Sequence, residues 1–250
     1  GAAVLMHGYD GIPGRPGTAG VLKALGISVD ADPKRVSEQV HRNGFAYLDI
    51  GLYHPPVYRF LEMRQELGVR NLFHPIARLL NPARAKAQVV GLSHPPHFEK
   101  TAEALGMLGC PRGMVIRGVE GDPELSASMA TRVLELRDER IRPLEITPKD
   151  FGLTFIPSRE MAGFPPDQRE KEADLLRHIL QNRVQGGPKE WVLMNAAMLL
   201  YAAGKGTSFS TCFPAAREAI ESGAAVRKLD DLVRQQVAVQ DERRKALGYE

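Results

Sequence analysis

The first segment that could do chemistry is the glycine-rich stretch from His7 to Thr18. Its glycines are spaced three residues apart: Gly8, Gly11, Gly14 and Gly17. Glycine lets a backbone approach a ligand closely, and the start of a helix after such a loop favours phosphate or another anion. Thr18 is a suitable cap for that helix. The stretch lacks the Gly-Lys-Ser/Thr of a P-loop and the spacing of a dinucleotide-binding loop. The stretch predicts either an anion-binding loop or a loop in which the glycines are needed only for backbone turns and bind no ligand.

An acidic segment from Arg117 to Ser126 is the second candidate. It holds three carboxylates within five residues: Glu120, Asp122 and Glu124. Proteins hold Mg²⁺ with one or two carboxylates together with substrate phosphate oxygens. The segment therefore predicts either a magnesium site or a solvated acidic turn.

A basic stretch between residues 59 and 86 is the third candidate. Its cations are opposed by only two carboxylates, Glu62 and Glu66. Guanidinium groups suit phosphate and carboxylate partners. The arginines concerned are Arg59, Arg64, Arg70, Arg78 and Arg84. The alternative is an ordinary charged helix face.

The composition narrows the class of protein. The chain has 250 residues, 43% hydrophobic and 25% charged, which is typical of a folded globular protein. Its net charge of +3 permits an anionic partner without requiring one. Two cysteines are too few for a disulfide framework or a four-cysteine zinc site. Since no apolar run approaches the roughly 20 residues that cross a bilayer, we expect no membrane association and a cytoplasmic location.

Strand and helix patterns alternate and place the candidate segments in loops. Apolar runs predict strands at 2–6, 45–50, 88–92 and 114–117, and a hairpin-like pair at 133–136 and 142–146. Helical spacing and helix-ending glycines predict helices at 17–25, 33–43, 55–67 and 98–108, and a helical region from 168 to 246. This alternation predicts an α/β fold with a mostly parallel sheet flanked by helices, and sites after the carboxyl ends of strands. Because the chain opens on a strand pattern without an initiator Met, we expect it to be a piece of a larger protein.

Four stretches, in order along the chain, carry a resemblance to a known family. They are Val4–Gly8 with Gly17–Ala19; Leu52–Pro55; Glu66–Arg70 running to Leu80–Ala83; and Gly118–Ser126. The segment from Asn195 to Leu229 continues the likeness. The chain thereby resembles anthranilate phosphoribosyltransferase and its relatives in glycosyltransferase family 3, which include pyrimidine nucleoside phosphorylases.

The resemblance implies a fold and a reaction. The fold is a small helical domain beside an α/β domain: residues 1–250 would form the α/β domain, about 53–82 would pack as part of the helical domain, and an N-terminal helical segment would be missing from this chain. The reaction is transfer of ribosyl phosphate from phosphoribosyl diphosphate (PRPP), with Mg²⁺ on the diphosphate, to an aromatic amine or base, as in tryptophan biosynthesis. The resemblance also implies a homodimer, and completion of the site by an N-terminal segment or a partner chain.

The resemblance further implies roles for particular residues. The acceptor side would be lined by His7, Gly8, His54 and Arg70. Gly17 and Thr18 would border the phosphate side. Glu124 would be a magnesium ligand, with Asp122 or Glu120 standing in for a second carboxylate. No catalytic side chain is named, because positioning and charge stabilisation suffice for this chemistry.

The chain departs from the family pattern within these motifs. Met6 and Tyr9 stand where the family has Lys and Asn, Gly20 where it has Asp, and Pro123 where it has the first acid of the metal pair. Both the phosphate motif and the metal motif are therefore weakened. The replacement of Lys by Met6 and of Asn by Tyr9 puts anthranilate in question as the acceptor.

A divergent branch of the family is also similar in places, at Gly68–Asn71 with His74, at Ser93–Pro95 and at Glu120–Gly121. Its members are suspected of binding nucleic acid through a basic groove. The second hypothesis is therefore a catalytically weakened member that binds nucleic acid through the five arginines named above, with an affinity that falls steeply with salt. A ligand-sensing or structural protein is the third.

Overall fold

The computed structural model describes residues 1–8, 17–69, 72–93, 95–119, 122–160 and 168–246. Tyr9, Arg70 and Glu120 lie outside them. The described residues form six strands: β1 (Val4–Gly8), β2 (Phe45–Asp49), β3 (Ala87–Leu92), β4 (Arg112–Arg117), β5 (Thr131–Arg137) and β6 (Arg140–Ile146). They form ten α-helices: α1 (Thr18–Ala24), α2 (Pro33–Asn43), α3 (Ile50–Tyr53), α4 (Pro55–Leu67), α5 (Phe73–Leu79), α6 (Phe98–Met107), α7 (Arg169–Leu180), α8 (Gly187–Ala202), α9 (Phe209–Glu221) and α10 (Ala224–Ala246).

The chain divides into two compact units. The first comprises residues 1–2, 70–162 and 184–218, and the second comprises 3–69, 163–183 and 219–250. We call them the four-strand unit and the two-strand unit, after the sheets they contain. The boundary at 69/70 falls inside the 53–82 stretch, and the packing of that stretch as part of a helical domain stays a prediction.

In the two-strand unit, β1 and β2 pair in parallel, from Val4 opposite Phe45 to Gly8 opposite Asp49. Apolar side chains cover both faces of this sheet. One face carries Tyr47 in a core with residues of α1, α7 and α10, and the other carries Leu48 in a core with Val36 of α2. The carboxyl ends of the two strands, Gly8 and Asp49, therefore lie side by side.

Local sequence signals set the helix ends in this unit. The Asp32 side chain accepts hydrogen bonds from the backbone N–H groups of Lys34 and Arg35, which begins α2 at Pro33. Gly44 ends that helix with a φ of 67°, a left-handed conformation that favours glycine. Gly68 ends α4 in the same way. Both helices have the predicted bounds.

In the four-strand unit, the strand order is β3-β4-β5-β6. Strands β3 and β4 are parallel, whereas β4, β5 and β6 are antiparallel to their neighbours. The turn of the β5–β6 hairpin consists of Asp138 and Glu139, both with positive φ, as a two-residue hairpin turn requires. Helix α6 covers one face through a core that includes Leu105 and Val115, and α8 packs against β3 and β4.

The structure confirms the α/β prediction, with parallel strands flanked by helices. The predicted hairpin-like pair is β5–β6, so the larger sheet is mixed because two of its three pairings are antiparallel. Cys110 and Cys212 are free thiols and buried. Within the described ranges, none of the helices is both long enough and apolar enough to cross a membrane.

Candidate active site

The acidic segment lies at the carboxyl ends of the adjacent parallel strands β3 and β4. The N–H of Gly118 donates to the carbonyl of Leu92 over 2.9 Å, which joins the two strand ends. A Cβ added at Gly91 would lie 1.9 Å from the carbonyl oxygen of Pro123, and one added at Gly118 would lie 1.8 Å from that of Asp122. Only glycine fits at either position, because the chain after β4 folds back directly over the strand ends.

Helix α8 holds the residue that follows Glu124. Leu125 is fully buried. Its N–H donates to Oδ1 of Asn195 (3.0 Å), and its carbonyl accepts from Nδ2 of Asn195 (3.2 Å) and from Nε1 of Trp191 (2.6 Å). Because one peptide position makes three hydrogen bonds to a helix, the backbone beside Glu124 is fixed in place. We call these contacts the Leu125 clamp.

The next residues form a compact hydroxyl-rich turn. The Ser126 hydroxyl accepts from the N–H groups of Ser128 (3.1 Å) and Met129 (3.3 Å) and lies 2.9 Å from the Ser128 hydroxyl. The Ser126 N–H donates to the Thr131 hydroxyl (2.9 Å), and the Ile156 N–H donates to the Ala127 carbonyl (2.9 Å). The turn is therefore attached to the fold on both sides.

Residues of this segment, including two acids and two serines, line a small pocket of about 30 Å³ together with Trp191. Its walls are Val119, Asp122, Glu124, Leu125, Ser126, Ala127, Ser128 and Trp191. Oxygen ligands of this kind suit Mg²⁺. Among the described residues, no three His, Cys, Asp or Glu side chains converge on a point that could hold a metal. The pocket therefore brings together Asp122 and Glu124, and a metal there would need further oxygens from a substrate or water.

Two of the predicted acceptor-side residues lie together in the two-strand unit. His7 lies near the end of β1, and His54 lies between α3 and α4. Their ring centroids are 5.6 Å apart, with the rings nearly perpendicular. Burial, and to a lesser extent the neighbouring His54, lower the pKa of His7 to about 4. At neutral pH the His7 imidazole is therefore uncharged.

His7, His54 and Tyr53, the residue before His54, each have one buried polar atom without a hydrogen-bond partner in the described part of the chain. These atoms are Nε2 of His7, Nε2 of His54 and the hydroxyl of Tyr53. Burial and, secondarily, Asp32 raise the pKa of Tyr53, so it stays protonated. Buried polar groups nearly always have partners in a working protein. These atoms can therefore receive a ligand that offers hydrogen bonds.

Gly8 and Gly17 have different structural roles. A Cβ at Gly8 would lie 2.5 Å from the hydroxyl oxygen of Tyr47, so glycine makes room for that buried side chain. Gly17 is the N-cap of α1 and supplies no side-chain cap. The expectation that Thr18 caps the helix is wrong, because Thr18 is its first residue.

The described arginines of the basic stretch do not form one helix face. Arg59 and Arg64 are both on α4, but five residues apart, which is about 140° around the helix axis. Arg78 donates to the carbonyl of Gly91 in β3. Arg84 has a positive φ of 50° in the loop after α5. Arg70, the arginine assigned to the acceptor side, is outside the described residues.

Comparison with known proteins gives the family. The sequence pattern of the glycosyl transferase family, a/b domain, matches residues 1–226. The chain belongs to this family. Anthranilate phosphoribosyltransferases from Haloarcula marismortui and Desulfosudis oleivorans are each 36% identical to it over 233 residues. The match covers 93% of this chain and 69% and 68% of those relatives.

Solved structures agree with this assignment. Anthranilate phosphoribosyltransferase from Thermus thermophilus has a TM-score of 0.83 and 35% identity, over 94% of this chain and 69% of that one. The Saccharomyces cerevisiae enzyme in complex with PRPP and Mg has a TM-score of 0.81 at 20% identity, over 94% of this chain and 65% of that one, and shows the shared fold. This chain is thus an anthranilate phosphoribosyltransferase-like member of the family and a transferase of the glycosyl and phosphoribosyl class. None of these four proteins is named for nucleic-acid binding, so they do not support the second hypothesis.

The Leu125 clamp was not foreseen from the sequence. Trp191 and Asn195 are four residues apart on α8, which places them on one side of the helix. The signal was present: an indole and a carboxamide at this spacing in an apolar helix need buried partners. Which partners they take depends on how the helix packs against the sheet, and the sequence does not show that.

Proposed function

We propose that this chain binds PRPP with Mg²⁺ and transfers its ribosyl phosphate to an aromatic amine of the anthranilate type. The observation that carries the proposal is the pocket in which Glu124 and Asp122 lie beside the Leu125 clamp, in a chain 36% identical to anthranilate phosphoribosyltransferases. In the reaction, the bond from C1 of the ribose to the diphosphate oxygen breaks, a bond from C1 to the amine nitrogen forms, and the amine loses a proton.

The residues present fit a magnesium ion shared with the donor. Two carboxylates line the pocket, and Mg²⁺ with bound phosphate needs only one or two. Glu124 and Asp122 would hold the ion. Bound there, Mg²⁺ would neutralise charge on the departing diphosphate. The chain's own part is to fix these carboxylates, since a rigidly held charged group stabilises developing charge without reorganising.

The acceptor side would be formed by the histidine pair. At neutral pH the lone pair on a ring nitrogen of the uncharged His7 can accept a hydrogen bond from an amine. The unpartnered Nε2 of His54 lies in the same cluster. Together they would orient the amine, with Gly8 as the next residue of β1 on this side. Arg70 and an additional segment or partner chain would complete this side, and we propose a homodimer as the assembly.

Calorimetric titration of PRPP into the full chain, with and without Mg²⁺, tests the proposal. We expect binding that requires Mg²⁺ and is lost in Glu124→Gln. The matched control is Asp138→Asn, which removes a carboxylate from the exposed β5–β6 turn of the same unit, and there we expect no change. Consumption of anthranilate, followed by its fluorescence, then tests the acceptor.

Three outcomes are distinguishable. Binding of PRPP without consumption of anthranilate would retain the transferase and reject that acceptor. PRPP binding that is unaffected by Mg²⁺ and by Glu124→Gln would reject the metal site. No PRPP binding, together with salt-sensitive oligonucleotide binding, would replace the proposal with the nucleic-acid hypothesis.

A further inference from the structure

An arginine side chain lies against the first turn of α1. Gly20 is a buried residue of that turn. A Cβ added there would lie 2.9 Å from Cδ, 3.0 Å from Nε and 3.1 Å from Cζ of Arg169, the first residue of α7. The φ of Gly20 is not positive, so the backbone does not require glycine. Glycine weakens a helix, and here its benefit is the space that it leaves for the Arg169 guanidinium.

Within the described ranges, no carboxylate forms an ion pair with Arg169. The side chain of Arg169 is exposed and forms no ion pair or hydrogen bond with any other described residue. The acidic residue one turn later on the same side of α7 is Glu172, whose Oε2 is buried without a hydrogen-bond partner in the described ranges. Burial raises the pKa of the Glu172 carboxyl. A guanidinium positioned by packing but unpaired is available to an anion from solution.

Its position is on the ligand-binding side of the two-strand unit. Helix α1 follows the carboxyl end of β1, and Gly20 is two residues after Thr18. Ligands of parallel α/β sheets bind beyond the carboxyl ends of strands. His7 and Gly8 end the same strand. The cation therefore stands on the side of the unit where the donor's phosphates are expected to meet Gly17 and Thr18.

We propose that Arg169 is a phosphate-binding residue of this transferase and contacts a phosphate group of the ribosyl donor. The planar guanidinium offers parallel N–H donors that match phosphate oxygens. Gly20 acts as the spacer that lets the guanidinium lie on the helix. The inference rests on the proposed function for the identity of the ligand, and on the Gly20–Arg169 contact for the site.

The test is titration of the full chain and its variants with three probes: PRPP with Mg²⁺, inorganic pyrophosphate with Mg²⁺, and ribose 5-phosphate. Loss of a hydrogen-bonded charged contact should weaken PRPP about 10- to 100-fold in Arg169→Gln. Arg169→Lys should recover part of that loss, since it keeps the charge and loses the planar donors. The matched control is Arg42→Gln, which removes an exposed arginine at the other end of the sheet, near the C-terminus of α2, and should leave PRPP binding unchanged.

Gly20→Ala keeps the arginine, but its methyl group would occupy the space in which the Arg169 side chain lies. It should therefore weaken binding of the same probes as Arg169→Gln does, while the thermal unfolding profile keeps its wild-type shape. The probes identify which phosphate is bound: weakened ribose 5-phosphate assigns Arg169 to the 5′-phosphate, and weakened pyrophosphate assigns it to the diphosphate.

The failures are separable. Normal PRPP affinity in Arg169→Gln, with wild-type binding present, would overturn this inference and leave the proposed function standing. Absence of PRPP binding in the wild type, with pyrophosphate or ribose 5-phosphate binding that depends on Arg169, would overturn the proposed function and keep the phosphate site. Absence of binding by all three probes would overturn both.

Discussion

Replacing Asn195 with alanine removes two of the three hydrogen bonds of the Leu125 clamp. The Leu125 carbonyl keeps its bond from Trp191, but its N–H loses the only partner that the structure shows for it. Leu125 is fully buried, so water cannot replace that partner without opening the segment. Leaving a buried donor unpaired costs about 1–3 kcal/mol and losing the second bond about 0.5–1.5 kcal/mol, so we expect roughly 2–4 kcal/mol in all.

The local assay is hydrogen exchange at the Leu125 amide. A destabilisation of about 2 kcal/mol corresponds to roughly 30-fold faster exchange through local opening. Trp191→Phe is the matched control because it removes one bond to the carbonyl and leaves the N–H paired. It should accelerate exchange less than Asn195→Ala does. Equal exchange rates in Asn195→Ala and the wild type would refute the argument that this carboxamide fixes the backbone beside Glu124.

Two further predictions concern packing and pH. Gly91→Ala should lower the free energy of unfolding, measured by chemical denaturation, by at least about 1–3 kcal/mol, because the new methyl group would overlap a backbone carbonyl of the acidic segment. The control is Gly106→Ala, whose methyl group would make only ordinary contacts at 3.7 Å and should not destabilise the protein. The unfolded chain binds a proton at His7 with the ordinary pKa of 6.5, whereas the folded protein binds it only with a pKa of about 4. The free energy of unfolding should therefore fall as the pH drops from about 6.5 to about 4, and His7 should not affect it above that range. His7→Gln should flatten this dependence relative to the wild type and to His41→Gln; the same slope in all three would show that His7 is not the group responsible.

Local signals predicted a large part of this fold. Helix α2 has its predicted bounds because Asp32, Pro33 and Gly44 each act on the backbone next to them. The acidic segment follows β4 as predicted, because the apolar run before it indicates a strand. What the sequence could not show is which element each polar side chain meets. Asn195 and Leu125 are joined because α8 packs against β3 and β4, and no rule of sequence spacing predicts that packing.

The glycines show where sequence reasoning needs the structure most. Gly44 is explained by its own positive φ, and a sequence rule for helix ends finds it. Gly20, Gly91 and Gly118 are different, because none has a positive φ and each is required by a close contact. For Gly20 and Gly91 the contact comes from a distant part of the chain, and for Gly118 it comes from Asp122, four residues on. At Gly91 and Gly118 the neighbour is the acidic turn, and at Gly20 it is the Arg169 side chain. Glycines of the second kind lie beside proposed ligand groups in both units: Gly20 contacts the Arg169 side chain, whereas Gly91 and Gly118 contact the backbone just before Glu124. A segment or side chain that is held by such a contact before the ligand arrives costs less to order on binding.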